Sequence, residues 1–152
     1  MGADSFADTM FGRTADDAFY AAITAARWEN GNGGYTGTIA EKLSYKLRQL
    51  PPRWTIEKLL KLIHAISIAR DEILWANEIE GDRRKRAAGA KMRDLTAQQL
   101  AFVEDCAHDY EDKWGPALAF ELTGKAAREC RVDQGYKGCK GSVWCFIGLA
   151  SS

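Results

Sequence analysis

The sequence predicts an α+β fold: a single, mainly antiparallel sheet of about five strands drawn from both chain ends, with an N-terminal helix and a long central helical hairpin. Three observations lead there. Apolar residues recur at helical spacing near the N-terminus and through the middle of the chain. Short apolar or alternating runs, bounded by Gly and Pro, stand on both sides of that middle. The order strand, helix, strand, helical pair and then strands is that of a segregated α+β domain, not of repeating βα units.

The first element covers 3–11, where Phe6, Met10 and Phe11 precede Gly12 and give a strand. Thr14 then offers an oxygen to the free amides of a helix whose first turn carries Asp16 and Asp17, favourably placed against the dipole. Ala18, Phe19, Ala22, Ile23 and Ala26 form its apolar face. Asn30-Gly31-Asn32-Gly33-Gly34 ends that helix, because these residues accept left-handed backbone. From Tyr35 to Leu47, Ile39, Leu43, Tyr45 and Leu47 set against Thr38, Lys42, Ser44, Lys46 and Arg48 predict a half-buried strand, which Pro51-Pro52 stops.

Thr55 caps a second helix expected to run to about Glu80, with Ile56, Leu59, Leu60, Ile63, Ile66, Ile73 and Leu74 on its apolar face. Thr96-Ala97-Gln98-Gln99 has the spacing of a capping box, and Leu100, Val103, Ala107, Tyr110 and Trp114 continue a third helix. The two are expected to lie antiparallel, as a helical hairpin insertion over 54–114 within one domain of residues 1–152. After Gly115-Pro116, strands are expected at 117–122, at about 128–132 and at 142–150, with Thr123-Gly124-Lys125-Ala126 as a hairpin turn.

Composition narrows the function classes. A chain of 152 residues can bury roughly 70% of its unfolded surface in one core. With 46% apolar and 28% charged residues it lies far from the signature of disorder. The formal charge is zero, so any electrostatic partner must meet a local patch. Residues 81–95 are net basic and 96–115 net acidic, which suggests mutual neutralisation. The apolar-rich stretch 59–79 is interrupted by Lys61, His64, Arg70, Asp71, Glu72 and Glu78, so no membrane span is expected. The N-terminus carries no signal-peptide pattern, and Phe6 stands where myristoylation needs Ser or Thr. Cys106, Cys130, Cys139 and Cys145 lack the close spacing of zinc knuckles and are expected as reduced core thiols in a cytoplasmic protein, with no metal and no cofactor.

Several segments invite a chemical reading beside a plainer one. Gly31 to Thr38 is rich in glycine and hydroxyls and could cradle a phosphate. It leads from helix to strand, however, whereas phosphate loops lead into a helix N-terminus, so a turn is expected. Glu104, His108 and Glu111 share a helical stripe beside Asp105, Asp109 and Asp112; without a second element to complete a metal site, this is a solvated acidic face. His64, within an apolar helix, is expected to be packed. Arg83, Arg84, Lys85 and Arg86 form a basic cluster without neighbouring aromatics for base stacking, most simply a solvated hinge. Of five tryptophans, most are expected in the core and some as interface anchors. No catalytic set is evident.

Three stretches stand out together: Gly33-Gly34-Tyr35-Thr36-Gly37-Thr38-Ile39-Ala40-Glu41-Lys42, Asp112-Lys113-Trp114-Gly115-Pro116-Ala117, and Phe146-Ile147-Gly148-Leu149-Ala150-Ser151-Ser152. They resemble small uncharacterised proteins of actinobacteria and their tailed phages. The resemblance implies a cytoplasmic, phage-related origin and no reaction. Should the three meet in space, Tyr35, Thr36, Thr38, Glu41, Lys42, Lys113 and Trp114 would surround one pocket with hydroxyls, opposite charges and an aromatic wall; strand pairing and packing alone would explain them equally. The leading expectation is a non-catalytic phage-type protein that engages a host macromolecule, of host-takeover or anti-defence type, its partner a host protein. The alternatives are a small enzyme or sequestering protein for a nucleotide-like ligand at the Tyr35 to Lys42 and Trp114 region, and nucleic-acid binding through Arg83 to Arg86.

Overall fold

The computed structural model describes residues 2–70 and 89–152. These form two compact units, one of Met1–Gln49 with Asp109–Ser152 and one of Leu50–His108.

The first unit holds a four-stranded sheet of β1 (Ala3–Gly12), β2 (Tyr45–Arg48), β3 (Ala117–Leu122) and β4 (Ser142–Ser151), in the order β1-β4-β3-β2. The expected five strands and mainly antiparallel sheet are thus corrected to four strands in a mixed sheet. β1 runs antiparallel to β4 from Ala3↔Ser151 to Gly12↔Ser142, and β4 is antiparallel to β3, but β2 is parallel to β3 from Tyr45↔Ala117 to Arg48↔Phe120. The reason lies in the connection: parallel neighbours need a long crossover, and the whole 50–108 segment stands between β2 and β3.

Helix α1 (Ala15–Asn30) lies on one face of the sheet. The Thr14 hydroxyl accepts the Asp17 amide at 3.2 Å, as its capping role predicts. Ala18, Phe19, Ala22, Ile23 and Ala26 are buried against Phe6, Ile39, Ala117, Ala119, Trp144, Phe146 and Ala150. Strand alternation explains the partners from β4, since Trp144, Phe146 and Ala150 share a face. The Phe19 ring sits 5.5 Å from Phe146 and 5.0 Å from Tyr45, and each such aromatic contributes about 1.5–3 kcal/mol through burial.

Two expected strands take other forms. Over 35–47 only β2 is extended; before it, Tyr35 has φ +53° and Gly37 φ +70°, which break the extension, and the Thr38 hydroxyl caps a 3-10 turn at Ile39–Glu41. The segment at 128–132 lies inside helix α4 (Gly124–Asp133), and 123–126 is the start of that helix, not a hairpin turn. Ala126, Ala127, Arg128 and Glu129 are strong helix formers, Lys125 pairs with Glu129 at 3.6 Å one turn on, and Ala127 joins Phe11 and Val143 in a satellite core.

The second unit contains α2 (Ile56–Arg70) and most of α3 (Ala97–Glu111). The Thr55 hydroxyl accepts the Lys58 amide at 3.2 Å, and Thr96 and Gln99 exchange side-chain-to-amide bonds of 3.1 and 3.0 Å, a complete capping box. Ile56, Leu59, Leu62, Ile63, Ala65 and Ile66 are buried, and Trp54 meets Phe102 edge-on at 6.2 Å. His64, expected to be packed, is exposed, because the buried face of α2 passes through its neighbours on either side. The expected continuation of α2 through Ile73, Leu74 and Trp75, the closure of the hairpin and the Arg83 to Arg86 cluster lie outside the described residues. Among the described residues no helix is long and apolar enough to cross a membrane.

Candidate functional site

The region around Lys42 begins with the turn after α1. Gly37, at φ +70°, donates its amide to the Ser151 carbonyl at 2.8 Å, which ties the turn to the end of β4. A Cβ at this position would lie 2.6 Å from the Asp4 carboxylate, so any other residue would have to displace that side chain as well as adopt left-handed backbone. The Glu41 carboxylate folds back to accept the Thr36 amide at 3.2 Å and the Thr36 hydroxyl at 2.9 Å. Thr36 has spent its proton on Glu41, so Thr38 must donate in the 2.8 Å contact between the two hydroxyls, and Thr38 in turn accepts the Ala40 amide at 3.3 Å.

This turn directs Lys42 inward, where only 3% of it is exposed. Its stem runs beside Gly148 and Phe6, with Cε 3.6 Å from where a Gly148 Cβ would stand. The ammonium then donates to the carbonyls of Asp112, Lys113 and Gly115 at 3.0, 3.3 and 2.9 Å, which uses all three of its protons. These carbonyls follow the end of α3, where the helix dipole favours a cation. Burial pushes the Lys42 pKa down, and the Asp112 carboxylate opposes that shift. Asp112 also shapes the acceptor loop, since its Oδ1 accepts the amides of Trp114 and Gly115, both at 3.0 Å.

Lys113 leaves the loop in the other direction, with its Nζ 3.5 Å from the Gly2 carbonyl and 5.3 Å from the Trp114 ring centroid. The Trp114 ring meets Tyr35 edge-on at 6.5 Å and 88°. Tyr35 is 56% exposed and Trp114 64% exposed. All seven residues singled out from the sequence therefore belong to one neighbourhood. They sort by role: Thr36, Thr38, Glu41 and Lys42 satisfy one another and the backbone, whereas Tyr35, Trp114 and the Lys113 head form an outward aromatic and cationic face.

The remaining candidates lie elsewhere. Glu104, His108 and Glu111 are exposed on α3, as a solvated acidic stripe requires. Cys106 and Cys145 are buried and Cys130 is half-buried, its thiol pushed up by burial, but Cys139 is exposed and departs from the expected core position because it lies in the Gly-rich turn after α4. Among the described residues no cluster of His, Cys, Asp and Glu could hold a metal ion. Trp144 is core and Trp54 half-buried, while Trp28 and Trp114 are exposed.

Three features escaped sequence reading. Arg131 donates to the Cys139 carbonyl at 2.7 Å and to the Gly141 carbonyl, and it lies over Phe11, which stacks on Tyr136 at 4.4 Å. Asp8 on β1 is held above the usual carboxylate range by burial and then by Glu29. A groove of about 410 Å³ runs between α1 and β2, lined by Asp16, Phe19, Tyr20, Leu43, Ser44, Tyr45 and Leu47. The alternation from Leu43 to Leu47 signals a two-faced strand, but nothing local announces that Tyr20 will meet it.

Comparison with protein-family models, with curated proteins and with solved structures returns no match to this chain.

Proposed function

We propose that this chain is a non-catalytic binding protein of phage type that engages a host macromolecule in the cytoplasm through the face formed by Tyr35, Lys113 and Trp114. The supporting observation is the division of labour around Lys42: the polar groups a small ligand would need are bonded within the fold, and what remains open is aromatic. Exposed aromatics flanked by a cation are the side chains that most often anchor protein interfaces. Covering what is exposed of the two rings removes on the order of 200 Å² from water, on the order of 5 kcal/mol before the costs of association. A nucleotide-like ligand on the same segment would instead have to draw Lys42 away from three carbonyls.

The test is affinity capture from host lysate with the wild-type protein and with Trp114→Ala as paired baits. A partner retained by the wild type and lost from a variant of unchanged melting temperature supports this reading. Failure to recover a specific partner, or recovery that is equal with both baits, overturns it.

A further inference from the structure

We infer that the outer edge of β2 is a strand-addition site for an extended peptide that alternates apolar and acidic side chains. This surface is separate from the Tyr35 and Trp114 face, and the inference stands without it.

The backbone comes first. β2 is an outermost strand, bonded only to β3 among the described residues. The Ala117 amide donates to the Ser44 carbonyl at 3.0 Å, which turns the backbone groups of Ser44, Lys46 and Arg48 towards β3. By the alternation of a parallel ladder, Tyr45 and Leu47 aim their N–H and C=O groups away from the sheet. No loop or cap bond among the described residues takes up those outward groups. A row of donors and acceptors at strand spacing is complementary to another strand, and to little else.

The side chains then set the sequence such a strand must have. On one face, the groove presents Phe19, Tyr45, Leu47 (57% exposed), Leu43 (97%) and Tyr20 (67%), so every second residue of the guest should be apolar. On the other face the strand carries Lys46 and Arg48. Lys46 already meets Asp109 at 3.2 Å, yet half of its side chain is exposed. The open side of Lys46 favours Asp or Glu at the intervening guest positions. A second copy of this chain fits poorly, since edge-to-edge pairing of two β2 strands sets Lys46 and Arg48 against their equivalents.

The experiment uses fluorescence anisotropy with the full chain and three labelled, acetylated peptides: valine alternating with glutamate, valine alternating with lysine, and the glutamate peptide with N-methylated amides. Binding of the glutamate peptide is expected to be at least about tenfold tighter than that of the lysine peptide, and to be lost on N-methylation. Leu47→Pro should abolish binding while leaving the circular dichroism intact, because the lost N–H points away from β3. Should that variant fail to fold, Leu43→Asp, at a position open to solvent, should weaken binding about tenfold. Equal affinity for both charges, tolerance of N-methylation, absence of binding at millimolar peptide, or a wild-type dimer that Leu43→Asp dissociates would each overturn the inference.

Discussion

The Lys42 ammonium donates to the Gly115 carbonyl at 2.9 Å across 73 positions of chain, and with the carbonyls of Asp112 and Lys113 on the same nitrogen it closes the loop after α3 against the sheet. Lys42→Met keeps the stem and removes the donors, leaving three carbonyls that had been turned towards a cation. It should cost roughly 2–4 kcal/mol in urea unfolding. Lys42→Arg should not restore the loss, because a planar fork cannot replace a point donor among three convergent acceptors.

Asp8 gives a pH signature. Its folded pKa is raised above the ordinary 3.8 by burial and by Glu29, so the native state holds this proton more tightly than the unfolded chain does. Stability should therefore fall as pH rises from about 3.8 through the folded pKa, with the penalty complete above it. Asp8→Asn should raise the melting temperature at neutral pH, and thermal melts across pH should show the gain fading as 3.8 is approached.

Tyr45 titrates at the other end of the scale. Burial, the hydrogen bond to Asp16 and that carboxylate's charge push its phenol from 10.0 to about 12. A raised acid pKa means stability is lost as pH rises from 10 towards 12. Burial also raises the Tyr110 phenol, so absorbance titration of the folded protein should show late-titrating tyrosines, of which the one near 12 is lost in Tyr45→Phe.

Gly34 and Gly37 separate backbone cost from crowding. Both have positive φ, +75° and +70°, but a Cβ on Gly34 meets nothing within 4 Å while one on Gly37 strikes Asp4. Gly34→Ala should cost about 1 kcal/mol, and Gly37→Ala roughly 2–3 kcal/mol, in chemical denaturation.

Much of this architecture was legible where the signal is local. The Thr14, Thr55 and Thr96 caps, the apolar face of α1 and the apolar β4 all rest on interactions within a few residues. The segment around Lys42 was harder. Ile39 and Lys42 are both buried and three apart, the spacing of a tight turn, yet the polar-apolar alternation around them imitates a strand. The identity of Lys42 gives no hint of acceptors some seventy positions away. The direction of β2 relative to β3 is set by the route of the intervening chain, which neither strand encodes. At 128–132 the expected strand lies inside a helix, because the helix propensity of Ala126, Ala127, Arg128 and Glu129 prevails.

The ladder that joins Ala3 to Ser151 has a temporal side. Among the described residues β1 and β3 share no neighbour except β4, which is made more than a hundred residues after β1. Throughout synthesis Phe6 waits without the Gly148 strand that will cover it, so assembly of the sheet is concentrated in its final ten-residue segment. A chain cut before Ser142 should keep at most the short β2–β3 pair and leave β1 without a partner strand, and until β4 is available the growing protein is most in need of a chaperone.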